Sequence, residues 1–246
     1  MPNFAVIVVA AGSGSRFGGE ENKVFAKLDG QPLVIRALQT FVNREDVVQT
    51  ILVVSPTDMG QVKSKFGANI GFMGVKLVEG GPERADSVQN ALAAVDDTAE
   101  YVAVHDAVRP CVAADWIDAV FAEAPKTGAA ILATPVTSTL KRVSESGTVD
   151  ATVSREGLWE AQTPQVFRKD ILLAAYSRRG EIPGPLTDDA QLVELMGHPV
   201  SVVESDARNI KITTRGDLTL ASAILKTLPQ PKPKGGPLTP FDEAQW

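Results

Sequence analysis

The run Phe4-Ala5-Val6-Ile7-Val8-Val9-Ala10 leads straight into a stretch of alanine, glycine and serine, and it restricts the fold more than any other feature of the chain. Continuous β-branched apolar residues suit a strand covered on both faces, as in a parallel sheet flanked by helices. Such a sheet needs crossovers, and the chain supplies them. Pro32 opens a helix over Leu33–Val42, followed by a strand over Val47–Val54 and a weaker helix over Asp58–Phe66. Val75–Val78, Tyr101–Val104 and Ala129–Thr134 read as further strands, separated by helices over Ala85–Val95 and Asp115–Ala124. Repeated strand–helix units predict a layered α/β fold around a mostly parallel twisted sheet.

The pattern changes between Val136 and Leu158, where short alternating segments around Glu145-Ser146-Gly147 predict a β-hairpin arm with little core of its own. A helix over Arg168–Arg178, a loop over Gly180–Pro185 and an N-cap at Thr187-Asp188-Asp189 for a helix to Met196 come next. Val200–Glu204 and Ile210–Ile212 read as strands, and Thr214-Arg215-Gly216-Asp217 resembles a capping box for a last helix to about Leu228. Residues 1–228 then form one domain, and 229–246, rich in proline, glycine and lysine, form a flexible tail.

Composition removes several function classes. The single cysteine, Cys111, excludes an internal disulfide framework, and with only His105 and His198 as histidines there is little for a zinc centre. A net charge of −6 argues against a broad nucleic-acid or membrane surface. The longest apolar stretch, Phe4–Ala11, is far short of the roughly 18 residues of a membrane span, and no secretory pattern precedes it. The expectation is a soluble cytoplasmic protein.

The loop after the first strand, Ala10-Ala11-Gly12-Ser13-Gly14-Ser15-Arg16-Phe17-Gly18-Gly19, can offer backbone N–H groups to phosphate oxygens. It is not a dinucleotide fingerprint, because Phe17 stands where the third glycine belongs and Ser55-Pro56 follow the second strand in place of an acid. Nor is it a Walker loop, since Glu20-Glu21 follow Gly19. Arg16 and Lys23 can reach a polyphosphate held by the loop; the competing reading is a surface turn with solvated basic residues.

Gly80-Gly81-Pro82-Glu83-Arg84-Ala85-Asp86-Ser87 joins a short strand to a helix, so its glycines can approach a flat ligand, with helix initiation alone as the alternative. His105-Asp106-Ala107-Val108-Arg109-Pro110 follows a buried strand at its carboxyl end, where open α/β sheets bind ligands. Asp106 can ligate Mg²⁺ or form a structural ion pair with Arg109; His105 supports the turn and Cys111 packs. Thr139, Lys141-Arg142 and Arg155 lie on or beside the arm, where solvation alone would explain them, and Asn209-Ile210-Lys211 lies late in the chain. No general-base triad emerges. A phosphate monoester nucleophile, with a second pKa of about 6, would need none and would ask for charge neutralisation and in-line positioning.

AAGSGSRFGG, GGPERADSV, HDAVRP, SREGLWEAQTPQVF and NIKIT together resemble the 2-C-methyl-D-erythritol 4-phosphate cytidylyltransferase family, in order, over roughly Phe4 to Leu225. The resemblance implies a Rossmann-like nucleotidyltransferase fold and the reaction of CTP with methylerythritol phosphate to give 4-diphosphocytidyl-2-C-methyl-D-erythritol and pyrophosphate, in non-mevalonate isoprenoid synthesis. It implies that Arg16, Lys23 and Lys211 act at the reacting phosphates, with Gly12 and Gly14 in the phosphate loop and Ala10, Ala11, Gly81 and Ser87 around cytosine. It further implies that Asp106 and Arg109 face ribose, metal or acceptor, that Thr139 and Arg155 hold the acceptor phosphate, that a divalent cation takes part, and that a homodimer shares its sites through the arms. Three residues depart from the family's pattern: Asn22 where a proline usually precedes the loop lysine, Pro82 after the glycine pair, and Arg208. Asn22 is expected to loosen the loop, and Pro82 leaves only a carbonyl for base contact. The rival readings are a ribitol 5-phosphate cytidylyltransferase, which differs in the arm, and a non-catalytic nucleotide-binding homologue.

Overall fold

The computed structural model describes residues 2–12, 14, 17–18, 22–182, 184 and 186–228. The tail at 229–246 and the loop arginine Arg16 lie outside these residues. A seven-stranded sheet is built from β1 (Phe4–Ala10), β4 (Val47–Val54), β5 (Lys76–Glu79), β6 (Tyr101–Asp106), β7 (Ala129–Pro135), β10 (Trp159–Arg168) and β11 (Ser201–Glu204). Its order is β11-β7-β10-β6-β1-β4-β5, and every strand except β10 runs parallel to the others. Two small antiparallel pairs stand apart: β2 (Lys27–Leu28) with β3 (Gln31–Pro32), and β8 (Leu140–Val143) with β9 (Val149–Val153), which forms the expected arm.

All of β1 is buried, and its side chains divide by strand alternation between two cores. Phe4, Val6 and Val8 pack toward α1 (Leu33–Val42), α2 (Met59–Phe72), α4 (Ala114–Thr127) and α7 (Gly216–Leu225). Ile7 and Val9 pack toward α3 (Arg84–Leu92), α5 (Lys169–Ser177) and α6 (Ala190–Leu195). Burial on both faces is what the unbroken apolar sequence requires. Among the described residues no helix is long and apolar enough to cross a membrane.

Four sequence expectations need correction. The ten-residue strand β10, the only antiparallel member of the sheet, is absent from the sequence reading because its middle, Gln162-Thr163-Pro164, is polar and contains a proline. Its register shifts between Ala161 and Gln165, so Pro164 sits at a bulge, where its missing N–H breaks no ladder bond. Helix α2 continues past Gly67 to Phe72, since Ile70, two turns beyond Val62, adds to the buried stripe. Ile210–Ile212 makes no strand; Ile212 N–H instead donates to the Val108 carbonyl at 2.8 Å. No reciprocal capping box opens α7: Asp217 alone accepts from the Thr213 and Thr214 amides, both at 2.8 Å.

Candidate active site

The carboxyl ends of β1, β4 and β6 and the loop after β5 surround a cavity of about 600 Å³. Strand order reverses beside β1, with β4 on one side and β6 on the other, so Val9 pairs with Asp106 at the cavity floor. This is the crevice where open parallel sheets bind ligands. Of the residues singled out in the sequence, Ala10, Ala11, Gly12, Gly14, Lys23, Gly81, Ser87, Asp106 and Lys211 line this one cavity. Arg109 lines a second cavity of about 190 Å³, which shares Arg84, Asp106 and Lys211 with the first. Thr139 and Arg155 are exposed on the arm and line neither, the Arg155 guanidinium donating to the Thr137 carbonyl.

The turn after β5 approaches β1 as closely as glycine allows. A Cβ on Gly80 would lie 2.6 Å from the Ala11 Cβ and 2.8 Å from Ser87 Oγ. Ser87 Oγ accepts from the Gly81 amide and donates to the Glu83 carbonyl, both at 3.1 Å, so this hydroxyl shapes the turn. Asp86 accepts from the Glu83 amide at 2.8 Å and pairs with Arg179, which also reaches Glu83. Lys23 opens a 3-10 turn whose next residues, Val24 and Phe25, are buried and fix its backbone against the core.

Asp106 is the electrostatic centre. Its Oδ1 lies 3.2 Å from Arg84 Nε and its Oδ2 2.6 Å from Lys211 Nζ, while its amide donates to Thr163 Oγ1 at 3.1 Å. Burial alone would raise its pKa, but Arg84, Lys211 and Arg109 outweigh burial and hold the carboxyl well below the usual range. Behind it, Arg84 Nη2 lies 2.8 Å from the fully buried Asp189, which accepts from Tyr176 Oη at 2.5 Å. The alternative of an Asp106–Arg109 ion pair gives way to a different arrangement: Arg109 donates to the Asn209 carbonyl at 2.7 Å, and Arg84 takes the carboxylate.

His105 braces the turn. Its Nε2 meets the Arg109 carbonyl at 3.2 Å, and a carbonyl only accepts, so Nε2 carries the proton and Nδ1 accepts from the Thr163 hydroxyl at 3.1 Å. Burial lowers its pKa to about 4 against the pull of Asp106. Buried Cys111 has its thiol pushed up to about 12, chiefly by burial, as a packing residue should. Arg84 and Thr163 also belong to the site, with no role expected from the sequence, and Asn22, expected only to loosen the loop, lines the larger cavity. Alternating charge in Glu83-Arg84-Ala85-Asp86 was a signal for Arg84, but its buried partner Asp189 comes from a distant segment.

Comparison with known proteins gives the chain a family. A sequence model of the 2-C-methyl-D-erythritol 4-phosphate cytidylyltransferase (IspD) family matches residues 4–227. The enzyme of that description from Rhodopirellula baltica is 46% identical over 233 residues, covering 90% of this chain and 94% of its own. That from Alkaliphilus oremlandii is 39% identical, covering 91% and 95%. Among solved structures, the 2-C-methyl-D-erythritol 4-phosphate cytidylyltransferase of Francisella tularensis superposes with a TM-score of 0.75 at 31% identity, covering 91% of this chain and 100% of that one. The 4-diphosphocytidyl-2C-methyl-D-erythritol synthase of Anaerococcus prevotii reaches 0.77 at 29% identity, covering 92% and 96%. With a family model matched over residues 4–227 and relatives 39–46% identical over about nine-tenths of the chain, the chain belongs to the 2-C-methyl-D-erythritol 4-phosphate cytidylyltransferase family.

Proposed function

We propose that the chain transfers CMP from CTP to 2-C-methyl-D-erythritol 4-phosphate, releasing pyrophosphate, with the nucleotide in the larger cavity and the polyol in the smaller. The observation that carries this reading is the wall common to both cavities, where Lys211 and Asp106 stand between two compartments of the right relative size. The acceptor phosphate is mostly dianionic at neutral pH and attacks the α-phosphorus without an enzyme base. One P–O bond forms there, the α–β bridging bond breaks, and the electron pair leaves on pyrophosphate. Lys23, Lys211 and, in the same loop by sequence, Arg16 oppose the charge that develops on the equatorial oxygens. Carbonyls of the Ala10 and Gly81 segments suit the exocyclic amine of cytosine and would repel the uracil carbonyl.

A magnesium ion fits this arrangement as a companion of the nucleotide. No cluster of three or more His, Cys, Asp or Glu able to hold a metal occurs among the described residues, and Asp106, the ionised carboxylate on the cavity wall, would reach a metal by exchanging Lys211 from its Oδ2. Magnesium typically takes one or two carboxylates and fills its octahedron with water and phosphate oxygens. Bound so, it would supply charge neutralisation of the triphosphate.

Thr139 and Arg155 complete the site from a second subunit in this reading. The arm exposes Val143, Val149 and Leu158, with Trp159 exposed beside it at the start of β10, and a lone hairpin is marginal in water without a surface to pack on. A two-fold partner supplies that surface and receives both side chains. A coupled pyrophosphate assay with methylerythritol phosphate and ribitol 5-phosphate tests the proposal. Turnover with CTP and a strong preference for the methylerythritol compound are expected; preference for ribitol 5-phosphate, or CTP binding without turnover, would overturn it.

A further inference from the structure

Asn22, the departure expected to loosen the loop, makes a bridge instead. Its Nδ2 donates to the Gly12 carbonyl at 2.9 Å and to Asp58 Oδ2 at 2.8 Å, while its Oδ1 accepts from the Val24 amide at 3.3 Å. Asp58 Oδ2 also accepts from Ser55 Oγ at 2.6 Å, which anchors the acceptor to the end of β4. One side chain therefore ties three segments of the large cavity's wall together: the loop after β1 at Gly12, the turn at Ser55–Asp58, and the 3-10 turn at Val24, the residue after Lys23. Beyond Lys23, Val24 and Phe25 are buried, so the lysine is clamped from both sides, by the core after it and by the bridge before it. A proline at position 22 would have no donor for either bond.

We infer that Asn22 is a positioning residue, latched to Asp58 and Gly12 so that Lys23 is held toward the nucleotide before the nucleotide arrives. This rests on the reading of the large cavity as the CTP site. A latch that populates the binding-competent arrangement lowers the apparent Kd by the fraction it populates, and it acts less on kcat because bound triphosphate orders the same segment. A hydrogen bond to a charged acceptor is strong enough to matter at that level.

Hydrogen exchange of residues 22–26 in the nucleotide-free protein reads the latch, and calorimetric titration with CTP reads its consequence. Asn22→Ala and Asp58→Ala are each expected to speed exchange there and to raise Kd for CTP roughly tenfold, with kcat at saturating CTP changed far less. The double variant should fall clearly short of the sum of the two single ones, because the Asn22–Asp58 bond is lost in both. Asn22→Asp sets two carboxylates against each other and should weaken CTP further, and adding Asp58→Asn should recover part of the affinity. Unchanged exchange and Kd in Asn22→Ala, additive effects in the double variant, or no recovery in the swapped pair would each overturn the latch. Failure of the unaltered protein to bind CTP would overturn the reading of the cavity, while exchange at 22–26 would still decide the latch.

Discussion

Lys211 Nζ and Asp106 Oδ2, 105 residues apart in the chain, meet at 2.6 Å on the wall between the two cavities. The pair is asymmetric. Asp106 keeps Arg84 when Lys211 is removed, so Lys211→Ala leaves no unpaired buried carboxylate. Its turnover should fall on the order of a hundredfold or more, the cost of one charge-stabilising donor, with little change in melting temperature. Steady-state kinetics beside thermal unfolding separates the two effects; near-normal turnover would remove Lys211 from the mechanism.

Gly80→Ala should damage nucleotide binding through shape alone. The added Cβ would meet Ala11 and Ser87, both on the cavity wall, and neither belongs to a flexible chain end. A loss of CTP affinity of roughly tenfold or more is expected, consistent with the 1–3 kcal/mol of an overpacked site. Gly67→Ala in α2, where a Cβ meets nothing within 4 Å, is the control and should stabilise the helix by about 1 kcal/mol. Equal CTP affinity in the two variants would contradict the close-approach argument.

The acid limb of stability should carry the signature of His105. Its folded pKa of about 4 lies below the ordinary 6.5, so the unfolded chain takes up a proton first as pH falls. The stability present above pH 6.5 is lost as pH drops from 6.5 to about 4, by on the order of 3 kcal/mol. Asp106, depressed below the carboxylate range, adds its own loss as pH falls through the ordinary carboxylate value of 3.8 toward its lower folded value. Denaturant titrations across pH 4–7 should show the slope in the parent and a flatter profile in His105→Gln; identical profiles would contradict a buried neutral imidazole.

Much of this was legible in the sequence because it depends on local patterns. Phe4–Ala10 and Val47–Val54 announce buried parallel strands by their unbroken apolar character, and the glycine pair announces close approach. What stayed hidden depends on distant partners. β10 is held in the sheet by β6 and β7 on either side, and these override a polar centre and a proline that no local rule would call a strand. Arg84 is given its direction by Asp189 and Asp106, and Asn22 by Asp58, so each role exists only after folding.

Sharing of sites between subunits predicts complementation. Lys23→Ala and Arg155→Ala proteins, each nearly inactive, should regain activity when mixed under conditions that exchange subunits. A mixed dimer then has one doubly defective site and one intact site, so random exchange restores about a quarter of all sites. Verified exchange without recovered activity would contradict arms acting in trans.

The most direct test of the account follows oxygen rather than rate. Methylerythritol phosphate carrying ¹⁸O in all peripheral phosphate oxygens, turned over with unlabelled CTP, reports by mass spectrometry which phosphorus is attacked and by what. Direct attack of the acceptor phosphate on the α-phosphorus predicts that every labelled oxygen is retained in the diphosphocytidyl product and that pyrophosphate is unlabelled. Label in the pyrophosphate, or product that has lost label, would contradict it.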